Sequence, residues 1–255
     1  MRKIVIILIL VSTALSFSHY FRQIFVDDYN SVELNFIESF SITKFRYGDS
    51  SSSIIDTLKD LKVSKSKISQ YSDKFIISPK VSIAFYRSLL SLSSYKSSLS
   101  VDTVLERDIK FADIIYQNSS KLRSELSFND LIIGYKYYIN SIIRLGMTIH
   151  KLTYNISLQD LTTGQKRSLS FNQYNPLIAM DVIIPLARKR LNLYSYFEYG
   201  MNNTNSMQFG LKYISISHNI FFSISKKISY LHLNENNFDV ENSYDGFIIS
   251  CGVYF

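Results

Sequence analysis

The chain has 255 residues, of which 46% are hydrophobic, and it contains 19 Tyr, 18 Phe and no Trp. Its formal net charge of +7 is not concentrated in a basic motif, so we expect no nucleic-acid partner. The single cysteine, Cys251, excludes an internal disulfide and a cysteine-based metal centre, and only 8 glycines leave no glycine-rich phosphate loop.

The first 18 residues predict an export signal. Met1-Arg2-Lys3 is a short basic start, residues 4–11 are apolar throughout, and small residues follow, so we expect cleavage near residues 16–18. The apolar run is shorter than the roughly 20 residues that a helix needs to span a bilayer, which argues against an anchoring helix. We therefore expect export through the general secretory pathway and a mature domain over residues 19–255.

The first half of the mature chain carries the weaker strand patterns. Glu38 falls on the apolar face of its strand and predicts a bulge, while Arg87 is out of phase with the alternation around it. In chain order we predict a strand at residues 32–46, a long outer loop at 48–74 with a short helix near 54–61, a strand at 79–92 and a polar turn at 93–100. Residues 101–117 fit neither period cleanly, and a third strand followed by a loop is expected there because it keeps the alternation of link lengths; residues 121–128 extend the next strand.

The second half shows clear alternation of apolar and polar residues. A period of two is typical of a strand with two chemically different faces. In residues 130–140, for example, Leu131 and Ile133 share one face while Gly134 and Lys136 lie on the other. Each run has roughly the 9–11 residues that a tilted strand needs to cross a membrane. The predicted strands are residues 130–140, 141–152, 176–187, 191–201, 206–217, 219–231 and 246–255.

The connections between these strands alternate between short and long. Membrane barrels have short periplasmic turns and longer outer loops, so the alternation predicts which end of each strand faces outward. Short links are predicted at residues 140–141, 188–190 and 217–218, and longer polar links at 156–175, 202–205 and 234–245.

The last strand ends on an aromatic residue. Ile249, Cys251, Val253 and Phe255 share one face of residues 246–255. This strand resembles the closing strand of bacterial outer-membrane β-barrels, whose last residues are read by the barrel-assembly machinery. The resemblance implies that these four residues form the assembly signal.

With the export signal and the paired strands, the terminal Val253-Tyr254-Phe255 resembles small outer-membrane β-barrel proteins of the OmpA-like and PorT-like kind. The Lys-, Ser-, Ile-, Asn- and Tyr-rich composition resembles that of Bacteroidota proteins. The resemblance implies a transmembrane, antiparallel, up-and-down all-β barrel in the outer membrane, with ten strands, or eight as the alternative, because such barrels have even strand numbers. It also implies outer-membrane lipid, the assembly machinery and other envelope or secretion proteins as partners.

Charged residues of both signs fall on the predicted inner faces of the strands. Buried charges are usually paired, so mixed signs predict an internal ion-pair network that fills the lumen. The predicted lumen-facing residues are Lys136, Arg144, His150, Asp181, Glu198, Lys212 and Lys227.

Three functions remain compatible with the sequence. A non-enzymatic structural, surface-contact or secretion-associated barrel is our first interpretation, because no catalytic constellation, metal motif or cofactor motif is present. A narrow passive channel predicts conductance that changes when Lys136, Arg144 or Lys212 is altered. A hydrolase at the outer rim depends on His150, or on His232 as second candidate. A secreted soluble β-sandwich is the alternative fold, since it shows the same alternation without an apolar outer face on almost every strand.

Overall fold

A computed structural model describes the following parts of the chain: residues 30–38, 41–47, 75–105, 108–111, 114–187, 190–200, 204–215, 219–235 and 238–254. The predicted export signal, the long loop at 48–74 with its helix, and Phe255 lie outside these residues. Among the described residues, no helix is long and apolar enough to cross a bilayer.

All regular structure in the described residues is β-strand. Alternating, β-branched and aromatic-rich segments suit a pleated surface with two different faces. The strands are β1 Ser31–Glu38, β2 Ser41–Tyr47, β3 Phe75–Phe85, β4 Ser88–Val104, β5 Ile109–Phe111, β6 Ile114–Tyr116, β7 Lys121–Tyr138, β8 Ile143–Asp160, β9 Lys166–Ala187, β10 Leu191–Gly200, β11 Asn205–Ser215, β12 Ile220–Glu235 and β13 Phe238–Tyr254.

The sheet closes on itself as a ten-stranded antiparallel barrel. Its order is β1-β3-β4-β7-β8-β9-β10-β11-β12-β13, and β1 also pairs with β13, for example Ser31 with Tyr254 and Ile37 with Ile248. The strand β2 continues β1 along the same partner, from Ser41 opposite Ser243 to Tyr47 opposite Phe238. The prediction of ten strands is therefore confirmed, and the soluble sandwich is wrong because closure leaves no second sheet to pack against.

An apolar belt surrounds the barrel. Every second residue of each barrel strand faces outward, and in the part of the barrel nearer Ser31 and Tyr254 most of these residues are large, apolar and exposed, as is typical of lipid-facing surface. One example from each strand is Val32, Ile77, Leu90, Ile133, Leu145, Ile178, Leu193, Met207, Phe222 and Phe247. The two longest connections, between β2 and β3 and between β4 and β7, lie opposite the end that holds Ser31 and Tyr254, which is therefore the periplasmic end in barrels of this kind. The predicted alternation of short and long links is otherwise wrong, because the β8–β9, β10–β11 and β12–β13 links have only five, four and two residues.

Three predicted loops are strands instead. The polar stretch 93–100 lies within β4, most of 156–175 belongs to β8 and β9, and most of 234–245 belongs to β12 and β13. The strand predicted at 79–92 contains a turn at Tyr86 and Arg87, which explains why Arg87 was out of phase. The segments on β4, β8 and β9 are polar on their outer face because they stand beyond the belt, and the same polarity suggested loops.

Four strands rise above the belt and form what we call the outer wall, residues 93–104, 121–130, 151–160 and 166–173. Its polarity is opposite to that of the belt: polar residues such as Asn155 and Asn172 face outward. Its inner face contributes to an apolar plug that closes the outer half of the lumen. The short hairpin β5–β6 joins the plug, with the Tyr116 hydroxyl donating to the Leu158 carbonyl at 3.1 Å. The plug comprises Ile37, Ile76, Tyr95, Leu105, Phe111, Tyr116, Leu122, Phe128, Leu152, Tyr154, Ile156, Leu158, Tyr244 and Ile248.

Candidate functional site

Aromatic rings and a cation narrow the periplasmic end of the lumen. The Lys212 ammonium lies 4.0 Å from the centroid of the Phe221 ring and 5.0 Å from that of Tyr254. The two rings are 4.8 Å apart, a separation typical of favourable aromatic pairs. A Cβ at Gly252 would lie 2.3 Å from the Phe221 ring, so the absence of a side chain at Gly252 makes room for that ring. The cation and the two rings together occupy the lumen at this end.

Above these rings lies a polar cavity of about 200 Å³. The Lys136 ammonium donates to Asp181 at 2.7 Å, and Arg144 lies 3.8 Å from the other oxygen of the same carboxylate. On the opposite wall Lys80 is 3.6 Å from Glu33. Cations and carboxylates therefore neutralise one another here, as buried charges require.

At the upper side of the cavity, His150 lies between two carboxylates. Its Nδ1 is 2.8 Å from Asp130 and its Nε2 is 3.2 Å from Glu198, and all three residues are at most 6% exposed. Glu198 also accepts hydrogen bonds from the Thr148 hydroxyl at 2.6 Å and from the Tyr196 hydroxyl. A carboxylate only accepts, so each contact requires an N–H on the ring, and His150 carries both.

This arrangement is that of a structural ion triad. A general base needs a free ring nitrogen within reach of a substrate proton, and both nitrogens of His150 are occupied. The apolar plug also covers His150 from the outer side, where a rim substrate would approach. No group of three or more His, Cys, Asp or Glu side chains suited to a metal ion occurs in the described part of the chain. The geometry therefore favours charge pairing over catalysis at this histidine.

The structure places all seven predicted lumen residues around the barrel interior. Lys136, Arg144, Asp181, Glu198, Lys212 and Lys227 line the polar cavity, and His150 lines a smaller one of about 30 Å³ above it, where Glu198 and Lys227 are also found. His232 lies on β12, outside the residues whose side chains are described. Of the predicted assembly signal, Ile249 and Val253 face outward on β13, and Cys251 shares their face and is partly buried.

Sequence reasoning missed several partners of these residues. Asp130 shares the parity of Lys136 on β7, and Thr148 that of His150 on β8, so strict alternation would have found both. Glu33 and Lys80 were missed because the first strands alternate less clearly. An inward-facing polar residue beside an inward-facing charge is the signal that identifies such partners.

No protein-family model matches the chain, and no curated protein matches it. Among solved structures, the chain resembles the outer-membrane protease OmpT from Escherichia coli, with 10% identity, 91% of this chain and 99% of that chain covered, and a TM-score of 0.50. It is also matched to Ail of Yersinia pestis in complex with the heparin analogue sucrose octasulfate, with 10% identity, coverage of 90% and 100%, and a TM-score of 0.41.

A third match is the toluene transporter TodX from Pseudomonas putida, with 9% identity, coverage of 90% of each chain and a TM-score of 0.37. At such identities a likeness shows the fold alone, and the two lower TM-scores add nothing to it. The narrower resemblance to OmpA-like and PorT-like proteins stays a prediction. The pairing of β1 with β13 closes the sheet, an apolar belt surrounds it, and the fold is similar to that of OmpT. The chain therefore has the fold of a bacterial outer-membrane β-barrel.

Proposed function

We propose that the chain is an outer-membrane protein that acts without catalysis as a contact surface at the cell exterior, either as an independent surface protein or as a member of an envelope or secretion assembly. The outer wall carries this proposal. Residues that project beyond a lipid belt meet water and other molecules, and the four long strands of the wall present a broad, paired surface to them.

The outward face of the wall is held in place by cross-strand pairs. Arg123 donates to Asp102 at 2.7 Å and lowers the pKa of that carboxyl below its usual range. Lys166, at 3.2 Å, and the Ser157 hydroxyl lower the pKa of Glu125 in the same way. Such exposed pairs add little stability, and their use is in fixing the orientation of polar side chains on the surface.

The occupied lumen argues against transport. A solute would have to pass Lys212 with the rings of Phe221 and Tyr254, then the ion pairs around the polar cavity, the His150 triad and the apolar plug. Small barrels are filled by their own side chains, and this one follows that rule. The cavity of about 200 Å³ is what favours a narrow channel as the second candidate.

Thiol labelling on intact cells tests whether the wall faces outward. In a Cys251→Ser background, Asn155→Cys is expected to react with a membrane-impermeant maleimide, because Asn155 is exposed on the wall. The matched control is Arg87→Cys, which lies in an exposed turn at the opposite end and should react only after the outer membrane is permeabilised. Protection of position 155 together with labelling of position 87 would contradict the proposed orientation.

Planar-bilayer recordings test the channel alternative. The purified barrel is expected to give no stepwise conductance, because side chains occupy its lumen at four successive levels. Recordings of the Lys136→Ala, Arg144→Ala and Lys212→Ala variants serve as comparison. Discrete steps in the wild-type protein whose size changes in these variants would establish a channel and overturn the proposal.

A further inference from the structure

Cationic side chains on the outer surface of the barrel fall into two groups. Arg123 and Lys166 on the outer wall are paired with Asp102 and Glu125, and Lys226 on β12 is paired with Asp245. Lys96 and Lys151 also face outward, on β4 and β8, and among the described side chains neither forms an ion pair with a carboxylate. Lys121, at the outer end of β7, also forms no ion pair with a described carboxylate, so Lys96 and Lys151 are distinguished by their height at the edge of the belt.

Their height is defined by the residues below them. Lys151 is the next outward-facing position above Ile149, which belongs to the exposed apolar belt. It is cross-strand from Tyr174 on β9, and its ammonium lies 5.9 Å from the centroid of that exposed ring. Aromatic residues mark the boundary between lipid and water in membrane barrels, so Lys151 lies at the level of lipid headgroups.

Lys96 lies at nearly the same level on the other side of β7. It pairs with Asn129, and Asn129 is the first polar outward position above Leu131 on β7. One strand separates β4 from β8 and the two lysines are offset by two residues along it, so they are about 12 Å apart across the sheet. Lysine can extend its ammonium along the surface toward the polar layer while its methylenes stay against the belt.

We propose that Lys96, Lys151 and the Tyr174 ring form a binding site for the phosphorylated headgroup of an outer-leaflet lipid. The lysines supply two positive charges where lipid phosphates lie, and the ring supplies the apolar-to-polar boundary against which a headgroup rests. At headgroup level a lipid phosphate can neutralise a lysine that has no carboxylate partner. This inference rests on the proposed function, because it requires the outer wall to face the cell exterior.

Native mass spectrometry of the detergent-purified full chain tests the site, with lipid A as the probe. The Lys96→Gln/Lys151→Gln variant is expected to bind lipid A about tenfold more weakly than the wild type. Its binding to a glycolipid without phosphate groups is expected to be unchanged. The control is Lys121→Gln. Lys121 also faces outward on β7, but it lies eight residues farther from the belt than Asn129. Heat-modifiable migration on gels confirms that each variant is folded.

Equal lipid A binding by the double variant and the wild type overturns the site, as does an equal loss in Lys121→Gln, which would indicate attraction by net charge alone. The outcome is separate from that of thiol labelling. Labelling at position 155 with unchanged lipid binding rejects the lipid site and leaves the surface-contact proposal intact. Protection at position 155 rejects the orientation whatever the lipid binding in detergent.

Discussion

Replacing His150 with alanine is expected to lower the free energy of unfolding of the barrel by about 3–5 kcal/mol. The imidazole neutralises Asp130 and Glu198, which are 0% and 4% exposed, and its removal leaves two carboxylates without their shared cation in the lumen. Asp130 has one oxygen without a hydrogen-bond partner, and its neighbour Tyr95 carries no positive charge that could replace the imidazole. The measurement is unfolding by urea in detergent micelles. The folded fraction at each urea concentration is read from the gel shift between the folded and the heated forms.

Thr153→Ala is the matched control on the same strand. The Thr153 hydroxyl donates to Asn172 at 2.7 Å on the exposed face of the wall, so its loss is expected to change stability by no more than about 0.5 kcal/mol. A His150→Ala variant as stable as Thr153→Ala would show that the two carboxylates are neutralised by protonation or by other cations, and the structural triad would be wrong.

Replacing Gly146 with valine is expected to prevent closure of the barrel. A Cβ at this position would lie 1.9 Å from the Tyr135 carbonyl oxygen and 2.6 Å from the Lys136 Cα, both in the backbone of β7. Backbone atoms inside a paired sheet cannot rotate away as a side chain does, so the clash exceeds the usual cost of overpacking. We expect the intensity of the folded band, the one that shifts on boiling, to fall by at least about tenfold on gels of refolded protein.

Gly134→Ala is the control for this prediction. Gly134 also faces inward, on β7, but the nearest atom to its added Cβ is the Ser91 hydroxyl at 2.6 Å, a side chain that can change rotamer. The variant is expected to fold, and Ser91→Ala should remove any remaining defect. If Gly146→Val folds as well as Gly134→Ala, the spacing between β7 and β8 is looser than the structure indicates.

The sequence predicts the belt well and the outer wall poorly, for one physical reason. Within the belt, outward residues are apolar, so alternation is easy to recognise, as in β7 around Ile133 and Tyr135. In the wall both the water-facing positions and several inner ones are polar, and a run such as residues 93–100 carries five serines. Polar runs are typical of loops, and the pairing partner that keeps this run extended, β7, is not adjacent in sequence.

The turn between β3 and β4 was missed for a different reason. Turns that need a positive φ usually contain Gly or Asn. Here Tyr86 adopts a φ of 54°, so the turn lacks its usual signal and the two strands read as one. The lumen charges were predicted from parity alone, but their pairing depends on which strands are neighbours, and that is a property of the closed sheet.

The inverted polarity of β4, β7, β8 and β9 also sets how deep the barrel sits. Each of these strands changes its outward chemistry from apolar to polar at one height, while its inward chemistry changes from polar to apolar at nearly the same height. Moving the barrel outward would bring leucines and isoleucines into water, and moving it inward would bring lysines and serines into hydrocarbon. The barrel therefore has one preferred depth in the bilayer, and a membrane of different thickness would have to deform around it.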